Sequence, residues 1–301
     1  MKTSSSWPLS RRSFLTISGV LPAAIAVRCG ISVSAAEPEH GDKKRTPIGL
    51  ELYSVRGELA RDLPNTLKTV AKIGYEVVEF YSPCFKWTPA YAKDVRAQMD
   101  DLGLRCYSTH NGFDSFTPAE NFAHAIELNQ ILGTRYLVLA SAPGSAKGLD
   151  GWKKLSDQLT TAVEQLKPHG LSAGYHNHQA EWAKLENGQR ILEVLAANTP
   201  KEFALQLDVG TCEEAGADPV AWVKANPGRI KMMHLKDWAP GEKGYHVLFA
   251  EGVTPWKELL EAAETVGGAE FFLIEQEGSR YSEFETAQRC LDTWKSMFRK
   301  A

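Results

Sequence analysis

Thiol pairs, phosphate loops, long apolar runs and excess positive charge are all missing from this 301-residue chain. Its five cysteines include no CxxC pair, so a zinc ribbon has no support. Neither GxGxxG nor GxxxxGK occurs, which argues against a doubly wound nucleotide-binding sheet. The longest mildly apolar run near the N-terminus, Leu15–Val27, has about 13 residues. A membrane-spanning helix needs roughly 20. Formal charge is −3 overall. Residues 1–36 carry Lys2, Arg11, Arg12 and Arg28 and no acid, so the remainder has 30 basic and 37 acidic side chains. A nucleic-acid partner would need a basic face against phosphate, and this balance supplies none. A composition of 43% hydrophobic and 24% charged residues excludes disorder and collagen.

The first 36 residues read as an export address. Ser10-Arg11-Arg12-Ser13-Phe14-Leu15 precedes the apolar run, and Ser34-Ala35-Ala36 offers small residues just before Glu37. Charge, apolar stretch and small-residue cleavage site form the secretory pattern. The paired arginines resemble a twin-arginine signal, which implies export to the periplasm and no stable membrane insertion after cleavage. Residues 37–46 (EPEHGDKKRT) read as a flexible leader, leaving 47–301 as one domain. Cys84, Cys106, Cys212 and Cys290 remain in it, better read as buried or isolated thiols than as a pairing that sequence can assign.

From Pro47 onward, short β-branched or aromatic runs alternate with amphipathic stretches. The predicted strands are Ile48–Tyr53, Val77–Tyr81, Leu104–Ser108, Tyr136–Ala140, Ser172–His176, Ala204–Asp208, Ile230–His234 and Phe271–Glu275. Their starts lie about thirty residues apart, the length of one βα unit. The predicted helices are Leu63–Ile73, Pro89–Leu102, Pro118–Leu132, Trp152–Leu166, Ile191–Ala197, Pro219–Ala225, Pro255–Val266 and Glu283–Phe298. Thr-Pro or Asp-Pro opens four of them, and Gly74, Gly103, Gly133 and Gly170 close four. Eight such units in about 255 residues predict a (β/α)8 TIM barrel.

A parallel barrel strand should be nearly all apolar, and its C-terminal end faces the active site. The fifth to eighth strands end in Tyr175-His176-Asn177-His178, Leu207-Asp208-Val209-Gly210, His234-Leu235-Lys236-Asp237 and Ile274-Glu275-Gln276-Glu277. Each brings a possible ligand to one rim. His176, Asp208, His234 and Glu275 together form a divalent-metal donor set of imidazole and carboxylate, without structural-zinc thiolates.

These segments also resemble the sugar phosphate isomerase/epimerase family, the xylose isomerase-like and endonuclease IV-like TIM barrels. The resemblance covers about Thr46 to Met297. It implies that strands five to eight hold one divalent ion (Mn, Co, Zn or Mg, with Mn favoured), through Asp208, His234, Glu275 and the residue at position 176. There the family has Glu and this chain has His176. The histidine many members carry at position 211 is Thr211 here, which argues against the several-metal endonuclease arrangement. The stretch Glu251-Gly252-Val253 resembles the family's Gly-Glu-Gly turn with Ala250 replacing the first glycine. The expected substrate is a small carbohydrate or polyol.

A metal that holds a carbonyl and its neighbouring hydroxyl acidifies the C–H between them, and a nearby base moves the proton. The expected chemistry is isomerisation or epimerisation, with Glu275, His178 and Lys236 as catalytic candidates. Elimination from a keto-sugar or keto-glycoside uses the same groups and is the alternative; a non-catalytic carbohydrate-binding barrel is a third reading. Glu79, His110, Glu181, Trp182 and Glu251 are candidate substrate contacts, with Glu51 beside Glu79 at an earlier strand end. Trp87, Trp238 and Phe113 are candidate pocket walls, and the loop around His246 a candidate lid. The export reading has a direct test. Arg11→Lys with Arg12→Lys should leave precursor in the cytoplasm, and normal periplasmic accumulation would refute the twin-arginine route.

Overall fold

The structure, a computed structural model, describes residues 46–298. Residues 1–45, which hold the expected export signal 1–36 and all but the last residue of the expected leader 37–46, lie outside the described residues. Eight strands form as the alternation predicts: β1 Ile48–Glu51, β2 Val77–Phe80, β3 Arg105–Asn111, β4 Tyr136–Leu139, β5 Ser172–His176, β6 Ala204–Asp208, β7 Met232–Leu235 and β8 Phe271–Ile274. All pair in parallel with their sequence neighbours, and β8 pairs with β1 through Leu50 and Ile274, closing the barrel. Among the described residues no helix is long and apolar enough to cross a membrane.

Successive side chains on a strand point to opposite faces. The outward rows, such as Ile48, Leu50, Val78 and Phe80, join the helices in one large apolar core. The inward rows build a smaller cluster of Val77, Tyr136, Val138, Ala204, Met232, Phe271 and Leu273. Toward the C-terminal ends the same inward rows turn polar: Glu79 follows Val77, Gln206 and Asp208 follow Ala204, His234 follows Met232, and Glu275 follows Leu273. The barrel thus has an apolar floor under a buried polar layer.

β3 extends to Asn111 rather than stopping at Ser108. The register between β2 and β3 shifts between Val78/Cys106 and Phe80/Thr109, so Tyr107 and Ser108 both fall opposite Glu79. This bulge keeps the polar end of the strand inside, because Ser108 and His110 find partners there. Helices follow the strands at the predicted places with shifted ends: Gly148–Leu166 starts a turn early, and Trp256–Ala262 continues as the π-turn Ala263–Gly267. Thr88 and Asp218 accept from backbone N–H groups as N-caps, whereas Pro118 and Pro255 occupy the cap position without a side-chain bond. Cys84, Cys106, Cys212 and Cys290 are buried free thiols.

Gly49 shows how tightly the floor is closed. A Cβ there would lie 2.6 Å from the Val77 carbonyl oxygen and 2.8 Å from Leu273 Cδ2. Gly49→Ala should therefore lower stability by about 1–3 kcal/mol through overpacking. A urea-unfolding midpoint equal to wild type would contradict this packing.

Candidate active site

The polar layer is organised by Gln206, a buried residue that nothing in the strand-end pattern singled out. Its amide Nε2 donates to Glu79 at 3.0 and 3.3 Å. That fixes its Oε1 as an acceptor, facing His110 Nε2 at 2.5 Å and His176 Nδ1 at 3.1 Å. Two imidazoles on one carbonyl oxygen must both present N–H. His176 therefore carries its proton on Nδ1, and its Nε2 lone pair is free. Burial, with His110 and His234 nearby, holds His176 well below the usual histidine range, so it stays neutral. Its Nε2 faces Asp208 Oδ2 at 3.7 Å.

Asp208 ends β6 and begins the short helix Val209–Glu214, where its Oδ1 accepts from Thr211 N at 3.0 Å. Its Oδ2 is buried with no hydrogen-bond partner. Lys236 Nζ lies 3.6 Å away, beyond hydrogen-bond reach. Burial pushes the Asp208 carboxyl up and Glu275 pushes it further, while Lys236 opposes both. A fully buried acid raised despite a neighbouring ammonium is short of positive charge. Asn177 ties this corner to β5, accepting from Asp208 N at 3.1 Å and donating to Thr211 Oγ1 at 3.0 Å.

Glu275 lies just past β8. Burial would raise it, but Lys236 and His234 hold it well below the usual carboxylate range. His234 is sandwiched: Nδ1 meets Glu275 Oε2 at 2.7 Å and Nε2 meets Glu79 Oε2 at 2.6 Å. Against the cost of burial, those two carboxylates push it well above the ordinary histidine range, so it is an imidazolium here. Glu79, also taking a bond from Ser108, is lowered to about 2: burial is overcome by His110 and His234. Lys236 donates to Glu277 and lies over the Tyr245 ring; its carboxylate neighbours overcome burial and raise it, so it remains charged.

The donor atoms of His176, Asp208 and Glu275 lie within 4.8 Å of one another. The orphaned Asp208 oxygen, an unprotonated imidazole nitrogen aimed at it and an ionised Glu275 fit a divalent cation. His234, expected as the fourth ligand, groups instead with His110 and His176, and both its nitrogens are occupied by carboxylates. A further group, Glu51, Glu79 and His110, lies on the β1–β3 side. Above the layer, Glu51, His110, His176, His178, Glu275 and Glu277 line a cavity of about 300 Å³ with Tyr53 and Tyr81. His178 is half-buried there, its ring 4.9 Å from that of His176.

The profile of the xylose isomerase-like TIM barrel family matches residues 67–297. The chain belongs to that family. It is 25% identical over 170 residues to an inosose dehydratase of Clostridium beijerinckii, a match spanning 49% of this chain and 56% of that one. The chain thus spans little more than half the length of this curated relative. A sugar phosphate isomerase/epimerase from Parabacteroides distasonis superposes with a TM-score of 0.70 at 26% identity, covering 85% of this chain and 96% of that one. An IOLI protein with a binding zinc atom superposes at 0.64 and 16% identity, over 84% and 98% of the two chains, and shows the shared fold.

Within this family barrel the remaining sequence candidates take other places. Glu181 is buried and accepts from the Tyr175 hydroxyl at 2.9 Å and His178 N at 2.8 Å, so it shapes the turn that presents His178. Trp182 is buried against Trp222, ring centroids 5.2 Å apart. Glu251 pairs with Arg280 at 2.7 and 3.0 Å beside His246, in a separate surface groove. Ala250, in place of the expected glycine, holds a left-handed φ of 66°. Asp237, missed by sequence reasoning, anchors that loop: it accepts from Gly252 N, Thr254 Oγ1 and Trp256 Nε1 at 2.9–3.0 Å.

If Gln206 sets the His176 tautomer, Gln206→Leu should weaken divalent-metal binding about 10- to 100-fold while the barrel stays folded, the usual effect of losing a group that orients a ligand. Unchanged affinity in a metal titration would remove Gln206 from this role.

Proposed function

We propose that the protein is a divalent-metal-dependent isomerase acting on a small carbohydrate or polyol by proton transfer at a carbon beside a carbonyl. The observation that carries this reading is the unpartnered Asp208 Oδ2, buried and facing the free His176 Nε2 beside an ionised Glu275. Asp208, His176 and Glu275 would hold the ion, with His234 available once a carboxylate releases one of its nitrogens. Bound there, a divalent ion would supply Lewis-acid polarisation of a carbonyl and an adjacent hydroxyl, which would acidify the C–H between them.

The chain's own groups supply the rest. Glu275 is the carboxylate positioned to take a proton from the sugar carbon and return it to the neighbouring one. Lys236 remains protonated and acts as a fixed positive charge toward a developing oxyanion, not as a base. His178, at the cavity wall, is placed to exchange protons with substrate hydroxyls. Inversion at a carbon needs proton-transfer groups on both faces. His176, a ligand with its Nδ1 proton held by Gln206, replaces the carboxylate that would provide the second. Isomerisation on one face is therefore favoured over epimerisation.

Elimination is the second reading, supported by the likeness to an inosose dehydratase. It begins with the same proton removal and ends with loss of the β-hydroxyl as water.

Asp208→Ala should lose most bound metal and turnover without unfolding; full metal occupancy in the folded variant would sink the assignment. His176→Ala should weaken binding at least about tenfold and His178→Ala leave it near wild type; the opposite result would exchange their roles. Mass spectrometry of products from free sugars and 3-keto-glycosides then decides the reaction, since isomerisation conserves mass and elimination does not.

A further inference from the structure

The cavity over the polar layer is small for a ligand site, at the low end of the roughly 300–1,000 Å³ such sites occupy. A second cavity shares a wall with it. Tyr81, just after β2, lines both this cavity and a neighbouring groove of about 470 Å³ between the first and second strand-to-helix connections. The groove is walled by Phe80, Tyr81, Trp87 and Tyr91, with Arg61 and Asp62 at its edge. The rings meet edge-on in two groups. Tyr53 meets Tyr81 edge-on at 5.2 Å, Phe80 meets Trp87 at 5.0 Å, and Trp87 meets Tyr91 at 5.3 Å.

The exposure of these rings is unusual for the molecule. Among the described residues the exposed large apolar side chains are Tyr53, Tyr91, Val253, Val266 and Met297. Both aromatics in that group line this pair of cavities, one at the mouth and one in the groove. A sugar ring has an apolar C–H face and a polar hydroxyl edge. It gains by covering an aromatic face while its hydroxyls reach a charged rim. Aromatic rings bordered by Arg61 and Asp62 offer that combination.

We propose that the groove is a subsite for a second sugar ring, so that the substrate is a disaccharide whose reacting ring occupies the mouth. The second ring is joined through a hydroxyl remote from the reacting carbonyl, which leaves that carbonyl free for the polar layer. This assignment rests on the proposed function for the identity of the mouth, but the groove can be tested by binding alone.

The test is calorimetric titration of the metal-loaded protein with glucose, cellobiose, maltose and phenyl glucoside. At least one disaccharide should bind about tenfold or more tightly than glucose, a difference of roughly 1.4 kcal/mol. Trp87→Ala should abolish that gain and leave glucose affinity within about twofold. Tyr91→Ala, at an exposed position, should reduce the gain and covers the case in which the Trp87 variant misfolds. Equal affinities for glucose and both disaccharides, or a disaccharide preference that survives both variants, would overturn the proposal. A gain seen for phenyl glucoside alone would also overturn it, by assigning the groove to an aryl group. Repeating the titration on Asp208→Ala separates the two claims. If the disaccharide-to-glucose ratio persists where metal is lost, the groove stands on its own; if metal chemistry fails in every assay, the ratio still reports on the groove.

Discussion

Four carboxylates, those of Glu51, Glu79, Asp208 and Glu275, lie buried inside one barrel mouth, and the site is arranged around their charge. Removing such groups from water is costly unless each finds a counter-charge or donors. Two cations answer them directly: His234, held between Glu79 and Glu275, and Lys236, within 4 Å of Asp208, Glu275 and Glu277. The remaining imidazoles answer less of that charge: burial lowers His110, which still acts on Glu79, and holds His176 well below the usual histidine range. The shortfall appears where it can be located: at Asp208 Oδ2 and Glu51 Oε1, both buried without hydrogen-bond partners, and in the upward shift of both acids. A divalent cation beside Asp208 and Glu275 would answer the part of it at Asp208.

Orientation matters as much as charge. One glutamine amide donates to the ionised Glu79 through its nitrogen and accepts from two imidazole N–H groups through its oxygen. The neutral His176 is thereby locked with its lone pair toward Asp208. The order runs from the Ser108 hydroxyl through Glu79 and Gln206 to His176, spanning β3, β2, β6 and β5. The β3 bulge is what makes Ser108 available to the first step. On the other side, Asp237 gathers three donors from the loop after β7 and a fourth from Trp256, the first residue of the helix Trp256–Ala262, fixing the segment between them.

Much of this was legible in the sequence, for a physical reason. Parallel barrel strands are apolar on both faces, so His176, Asp208, His234 and Glu275 stand out at four successive strand ends. The thirty-residue period and the closing glycines exposed the fold in the same way. Gln206 was not visible because a lone amide within a strand carries no local signal. The available clue was parity: it lies two residues before Asp208 and so shares its inward face. Trp182 and Glu251 look like rim residues from sequence, but their partners Trp222 and Arg280 are tertiary neighbours that no local pattern names, while Glu181 is held locally by Tyr175 and the His178 backbone. The extension of β3 through His110 and Asn111 was hidden likewise, since Ser108 and His110 are satisfied by Glu79 and Gln206 on other strands and Thr109 by Asn129 on the helix Ala119–Leu132.

The central claim is that Asp208, Glu275 and His176 form the seat of a divalent cation. The most direct measurement is a crystal structure of the manganese-loaded protein with data collected at the metal's absorption edge. The account predicts one strong anomalous peak bonded to Asp208 Oδ2, Glu275 and His176 Nε2, with His176 Nδ1 still on Gln206. A peak elsewhere, or a fully occupied ion that His176 does not touch, would contradict it.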